Sequence, residues 1–241
     1  MAHLRTFRLT TISLALLGAT VGAGVPLVAQ ASVATPNASS VLIAARAALE
    51  KVTGVHITVA SKAGKISSTV VVDIGQTDGK ESITSGAESI SIIVTPTYAY
   101  LSGSATGLMK IMGLSAAQVK IVGKKSLAMK AGTTPYNNFK GNLTSPALLA
   151  LLPVSKGTTL STTLIKNVKD YQLHWTTKAA SRSLLTKSVL TLSATGPKLP
   201  IRETITSATG GGITNFSHWG EHVSVIIPAQ SSTVSYAKLF G

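Results

Sequence analysis

The chain has 241 residues, of which 44% are hydrophobic and only 12% are charged, and its 22 Lys and Arg against 8 Asp and Glu give a net charge of +14. This length and apolar fraction suffice for a packed core and argue against disorder. The absence of cysteine excludes a disulfide scaffold, thiolate metal sites and a cysteine nucleophile. An aromatic fraction of 5% argues against a stacking platform for single-stranded nucleic acid.

The first 31 residues have the pattern of a secretory signal peptide. Arg5 and Arg8 precede an uncharged apolar run over residues 12–25, Pro26 follows, and Ala29-Gln30-Ala31 forms a small-x-small cleavage site. The alternative is an uncleaved membrane anchor, because the stretch over residues 9–28 approaches the ~20 residues that span a bilayer. We expect cleavage after residue 31, a flexible lead over residues 32–40 and a single domain over residues 41–241. The protein is then exported to the cell envelope or secreted.

The first half of the expected domain predicts one helix followed by a meander of strands. The helix covers residues 41–51, with Ser39 or Ser40 as its cap. From Gly54 onwards apolar side chains alternate with polar ones, which is the period of a half-buried strand. The predicted strands run from residue 54, then over 66–74, 81–85, 89–94 and 97–101.

The middle of the chain changes to helical spacing before strands resume. Short helices are predicted over residues 104–112 and 115–119 and a strand over 126–130, and a further helix is capped by Ser145 and stopped by Pro153. Later strands are predicted at residues 158–164, 171–177, 188–193, 201–207, 213–218 and 222–227, with the three glycines 210–212 as a hairpin turn. The fold class is therefore α+β, with helices laid over one face of an antiparallel sheet.

Charge is unevenly distributed, since residues 89–169 contain no Asp or Glu. Five lysines of this stretch are candidates for a basic surface that faces a membrane: Lys110, Lys120, Lys124, Lys125 and Lys130. They form either an ordinary solvated surface or a surface that meets an anionic membrane transiently, where each lysine adds ~1 kcal/mol of attraction. Nucleic acid is disfavoured as a partner, because the excess is Lys and bidentate recognition of phosphates and bases uses Arg.

The sequence contains no recognisable catalytic motif, so we expect a protein without enzymatic activity. Asp73, Asp78 and Glu81 cluster around a turn without calcium-loop spacing, and no G-x-S-x-G occurs. His218 and His222 are four residues apart, but the segment has strand spacing, which does not align them on a metal. We therefore expect no metal and no cofactor.

The C-terminal third carries a family resemblance. Residues 199–203, with the sequence LPIRE, are followed by Phe216-Ser217-His218-Trp219-Gly220 and an alternating stretch ending at Pro228. This resembles the end of the mycobacterial-type LppX/LprG lipoprotein family. The resemblance implies a LolA-like half-barrel, a strongly curved antiparallel sheet whose concave face is closed by helices over a lipid-sized cavity. It implies carriage of lipid or glycolipid in the cell envelope without catalysis. Members typically carry a lipidated cysteine, which this chain lacks, so we expect the basic surface to replace tethering.

A carrier requires an apolar sheet face and an apolar helical cover, and the sequence supplies both. The predicted cavity-lining residues are Ile57, Val59, Val70 and Val72 from the strands and Leu108, Met109, Met112, Leu148, Leu149 and Leu152 from the helical middle. The same residues would equally form a closed core. Three hypotheses follow: a monomeric carrier of acyl chains, a protein-binding or sensor module of the envelope on the same fold, and a secreted hydrolase.

Overall fold

The computed structural model describes residues 36–153, 157–165, 167–178 and 185–240, and its described strands form one open twelve-stranded sheet. The spatial order is β12-β6-β5-β4-β3-β2-β1-β11-β10-β9-β8-β7. Every ladder is antiparallel except that between β12 and β6. The sheet is strongly curved and unclosed, and the predicted α+β class is confirmed. The strands are β1 Gly54–Ala63, β2 Ile66–Gly75, β3 Gly79–Ser85, β4 Glu88–Val94, β5 Tyr98–Gly103, β6 Ser126–Lys130, β7 Thr159–Ile165, β8 Val168–Lys178, β9 Leu185–Ser193, β10 Pro200–Ser207, β11 Gly210–Ser217 and β12 Thr233–Ser235.

Short helices accompany the sheet. They are α1 Ala38–Leu49, α2 Ala105–Lys110, α3 Ala116–Val122, α4 Thr134–Leu143 and α5 Ala237–Phe240, with 3-10 helices at Ser145–Leu151 and Gln230–Ser232. The predicted signal peptide and residues 32–35 of the predicted lead lie outside the described residues. Residues 38–40 of that lead are already helical, because Asn37 caps α1 by accepting a hydrogen bond from the Ser40 backbone N–H.

Three local predictions are wrong. Residues 210–212 begin β11, and the turn lies at residues 208–209. A Cβ atom at position 210 would lie 2.1 Å from Lys62 O, so Gly210 permits the close approach of β11 to β1 and does not form a turn. Residues 222–227 form no strand. The helix capped by Ser145 is a 3-10 helix whose N-cap is Thr144.

Apolar side chains gather in two packed clusters on the sheet. The first cluster joins α1 and the 3-10 helix Ser145–Leu151 to β1, β2, β8, β9 and β11. The second cluster joins α2, α3 and α4 to β4, β5 and β6. Val72 on β2 packs against both. The core therefore has two halves that meet at the middle of the sheet.

Candidate functional site

The predicted cavity-lining residues are divided between the two clusters. Ile57, Leu148 and Leu152 are buried in the first cluster, and Val59 and Leu149 pack against it. Leu108 is buried in the second cluster, and Met112 packs against it. Val70 is half-buried and belongs to neither cluster, while Met109 is exposed. The buried members touch other side chains in this conformation, so they form packed core.

The boundary between the clusters is a strip of half-buried side chains on the concave face, here called the seam. It consists of Val59, Val70, Val72 and Ile83. Val59 lies opposite Val70, and Val70 lies opposite Ile83, so these three form one row across β1, β2 and β3. Alternation places them on the same face as the buried Ile57. Val70 packs into neither cluster and is only half-buried, so the seam leaves apolar surface of this face uncovered between the two clusters.

Two carboxyl groups flank the seam. Glu81 lies opposite Val72, and Glu203 lies opposite Thr214, which itself lies opposite Val59. Burial raises the pKa of both carboxyl groups, because neither gains a compensating partner. Within the described residues no hydrogen bond or ion pair involves either one. A protonated carboxyl both donates and accepts a hydrogen bond, so these groups suit the polar atoms of a largely apolar ligand.

The two halves of the helical cover are attached differently. In the described part of the chain, α1 makes side-chain hydrogen bonds only with itself, through Asn37 and Ser40, and otherwise packs by apolar contact. In contrast, Tyr136 Oη on α4 donates to Thr95 O and Pro96 O at 2.9 Å each. Ser104 Oγ, capping α2, also accepts a hydrogen bond from Ser89 N of β4 at 3.0 Å. Among the described residues, α1 is therefore held to the sheet by apolar contacts, without the side-chain hydrogen bonds that attach α2 and α4.

A pocket of about 190 Å³ lies on the opposite, convex face of the sheet. His56 Nδ1 lies 2.5 Å from Asp73 Oδ1, and Lys80 Nζ lies 3.1 Å from Asp73 Oδ2. Burial opposes ionisation of Asp73, but hydrogen bonds from His56 and Lys80 outweigh it and lower the pKa of this carboxyl. Since these residues lie on β1, β2 and β3, the network ties three central strands together.

The pocket also bears on the hydrolase hypothesis. Its lining also includes His218, Glu221, His222 and Ser224, together with Val55 and Val223. An acid–histidine pair is present, but no hydrogen bond among the described residues joins Ser224 to a histidine. No group of three or more histidine and carboxylate side chains in the described ranges is placed to hold a metal ion. A second pocket, beside the β7–β8 hairpin, is lined by Thr162, Thr163, Leu164 and Lys169. Neither pocket contains a predicted cavity-lining residue.

The predicted basic surface is divided as well. Lys110 pairs with Glu88 at 2.7 Å. Lys120, Lys124 and Lys125 are exposed and have no ion-pair partner among the residues described. Lys130 ends β6 opposite Tyr98, the first residue of β5, and so lies at the other end of the sheet. The sequence reasoning grouped these lysines by position in the chain and missed that separation. The register of β5 against β6 places Lys130 at one end of β6 and the three lysines that precede the strand at the other end.

Comparison with solved structures finds two similar folds. The chain resembles the lipoprotein LppX of Mycobacterium tuberculosis with a TM-score of 0.47 and 15% identity, over 78% of this chain and 100% of that one. It resembles LprF of Mycobacterium bovis with a TM-score of 0.45 and 13% identity, over 78% of this chain and 95% of that one. No protein-family model matches the chain, and no curated protein matches it.

Within residues 36–153, 157–165, 167–178 and 185–240, no helix is both long enough and apolar enough to span a lipid bilayer.

Proposed function

We propose that the protein is an exported, non-catalytic binder and carrier of lipid or glycolipid acyl chains, which it takes up along the seam. The observation that carries this proposal is the split core. Two clusters cover one apolar sheet face and meet at Val72, and Val70 between them is only half-buried. A single fully packed core would leave no such strip.

The energetics demand that the bound chain be enclosed. Transferring a 16-carbon chain from a bilayer to water costs about 12 kcal/mol, at ~0.8 kcal/mol for each methylene. A surface groove does not offset this cost. The apolar strip must therefore be widened and covered, which requires one wall to withdraw from the sheet and close over the ligand.

The wall that withdraws in this proposal is α1 together with the 3-10 helix Ser145–Leu151. Their inward side chains Leu42, Ala45 and Leu148 contact the first cluster through apolar surface alone, which an acyl chain replaces with like contacts. α4 stays in place, because moving it would break the buried hydrogen bonds of Tyr136. Hydrogen exchange tests this division: ligand release should speed exchange in α1 and leave α4 unchanged.

Glu81 and Glu203 give the proposed site its polar contacts. Each is half-buried beside the seam without a partner in the described part of the chain. When it is protonated, the carboxyl group at each flank can donate a hydrogen bond to an ester or hydroxyl oxygen where the tail joins its headgroup. Such contacts favour acyl chains that carry esters or hydroxyls over plain hydrocarbons.

The direct test is lipid mass spectrometry of the protein purified without detergent from a host that makes acylated envelope lipids. We expect stoichiometric acyl lipid in the native protein. The variant Val70→Arg places a charge in the seam and should lose the lipid. The matched control is Val71→Arg, because Val71 is the next residue of β2 and faces the convex side.

Three results would overturn the proposal. These are native protein free of lipid, lipid retained by Val70→Arg, or equal loss in both folded variants. A stoichiometric protein partner recovered with lipid-free native protein would instead favour the envelope-module hypothesis.

A further inference from the structure

The two ends of the sheet differ in charge, and the strand registers show how. At one end lie the β1–β2, β3–β4 and β10–β11 turns, together with the start of β9, because Ala63 pairs with Ile66 and Gly210, Ser85 with Glu88, and Thr206 with Lys187. α2 follows the end of β5 there, and α3 leads through the next turn into β6. We call this the lysine end.

The lysine end carries six exposed lysines that have no ion-pair partner among the described residues. They are Lys62, Lys65, Lys120, Lys124, Lys125 and Lys187. Its one acidic side chain in the described ranges is Glu88, and Lys110 neutralises it at 2.7 Å. The other end also carries lysines, among them Lys51, Lys80, Lys130 and Lys169, but there acidic side chains offset them: Glu50, Asp73, Asp78, Asp170 and Glu221. The molecule is therefore polarised along its strands.

Large apolar side chains are exposed among the same lysines. Ile66 is 64% exposed and Leu185 is 55% exposed, at the tips of β2 and β9. Ile121 on α3 and Met109 on α2 are 48% and 37% exposed. Each of these four residues has a lysine one or two positions away in the sequence; in the same order, the lysines are Lys65, Lys187, Lys120 and Lys110. Lysines interspersed with exposed apolar side chains are typical of surfaces that bind the interface of an anionic bilayer.

We infer that the lysine end docks on anionic membranes and presents the seam to the acyl region of the bilayer. This inference deepens the proposed function and rests on it. The lysines meet lipid phosphates, while Ile66, Leu185, Met109 and Ile121 enter the interface. The exposed apolar side chains favour a membrane over a nucleic acid, which offers no apolar phase. Val70, on the seam, lies four residues along β2 from Ile66, so a short path joins the docked rim to the seam.

The experiment measures binding of the full mature protein to vesicles of phosphatidylcholine with and without phosphatidylglycerol. We expect binding only to the anionic vesicles. The double variant Lys124→Gln/Lys125→Gln should bind about 30-fold more weakly, at ~1 kcal/mol for each lysine. Its control is Lys51→Gln/Lys130→Gln, which removes the same charge from the opposite end and should bind like the native protein.

A second pair of variants tests the apolar part of the surface. Ile66→Ser/Leu185→Ser should weaken binding by about tenfold, as a few buried methylenes contribute at ~0.8 kcal/mol each. Its control is Leu164→Ser/Val168→Ser, at the exposed tip of the β7–β8 hairpin at the opposite end, where Leu164 is 71% exposed. Circular dichroism verifies that all four variants are folded.

Each other outcome overturns the inference. Equal losses in the lysine variant and its control would show unspecific attraction by net charge. Loss in the Leu164 and Val168 control would place docking at the opposite end. Unchanged binding of Ile66→Ser/Leu185→Ser would show general binding of polyanions. Lipid found by mass spectrometry in a protein that binds no vesicle would refute docking and leave the proposed function intact.

Discussion

The two halves of the core bury similar kinds of side chain but differ in how their cover is held. In the second cluster, β4 and β6 alternate regularly between buried and half-buried residues. Here α2 is hydrogen-bonded to β4, and α4 is hydrogen-bonded to the turn between β4 and β5. In the first cluster, α1 is held by apolar contact alone among the described residues, and most of β10 and β11 is only half-buried. Hydrogen bonds fix geometry, whereas apolar contacts tolerate exchange of one partner for another. The comparison therefore separates a structural half from an adaptable half.

The largest expected effect comes from matched leucine truncations in the two halves. Leu108 and Leu148 are both 1% exposed and both lie on the helical cover. Leu108→Ala should cost about 4 kcal/mol of unfolding free energy, because its surroundings are fixed, and Leu148→Ala about 2 kcal/mol, because the loosely attached cover collapses around the space. Urea denaturation of both variants measures the difference. Equal costs would contradict the division into a fixed and an adaptable half.

The hydrogen bonds of α4 give the next effect. Tyr136→Phe removes the hydroxyl that donates to Thr95 O and Pro96 O, and should lower the free energy of unfolding by about 1.5 kcal/mol. Tyr98→Phe is the matched control, because the Tyr98 side chain is partly exposed and makes no hydrogen bond in the described residues. It should leave stability unchanged. A negligible effect of Tyr136→Phe would show that packing alone holds α4.

The carboxyl groups at the seam should destabilise the protein at neutral pH. Burial raises the pKa of Glu81 above its ordinary value, so the folded state binds a proton more tightly than the unfolded state does. Stability is thus greatest below the unfolded pKa and falls as pH rises through the folded one. Glu81→Gln should raise the free energy of unfolding by about 1 kcal/mol at pH ~7 and by little at pH ~4. Thermal melts at both values test this, with the exposed Glu50→Gln as control.

Asp73, on the convex face, should contribute to stability with the opposite pH dependence, and its effect on the free energy of unfolding should be the smallest of the four. His56 and Lys80 lower the pKa of Asp73 against the effect of burial, so the ionised group stabilises the folded state above its unfolded pKa. This contribution is lost as pH falls through the folded value. Asp73→Asn should therefore cost up to about 1 kcal/mol at neutral pH and little in strong acid. A variant that loses as much stability in acid as at neutral pH would contradict an electrostatic role.

Alternation and turn residues predicted much of the sheet. Strands β1, β2 and β6 occur as expected, and α2 and α3 each begin one residue after the predicted start. The local sequence pattern gave a wrong prediction where contacts with distant parts of the chain determine the structure. The stretch after Gly220 alternates like a strand, yet β2 already pairs with β1 and β3, so no free edge remains beside Val223.

The sequence predictions missed α4, as well as β12 and α5 near the C-terminus. Pro135 in the first turn of α4 and the spacing of Tyr136, Phe139 and Leu143 were signals that would have revealed this helix. The candidate site was predictable only in part. Periodicity identified Ile57, Val59, Val70 and Val72 as one apolar face, but gave no means of dividing that face between two clusters. Glu81 lies beside the seam through the local pairing of β2 with β3. Glu203 reaches it only because β11 pairs with β1 from the other end of the chain, a register that local sequence patterns do not give.

The pairing of β1 with β11 has a consequence for how the chain acquires its structure. His56 lies opposite Ser217, so the ladder at the centre of the sheet joins segments from opposite ends of the sequence. The meander β1–β6 and the meander β7–β11 can each begin to form from neighbouring residues, but the central ladder must wait until residue 217 is available. Such non-local pairing makes folding slow. The two meanders therefore stay unjoined until almost the whole chain is available, and the facing edges of β1 and β11 remain unpaired until then.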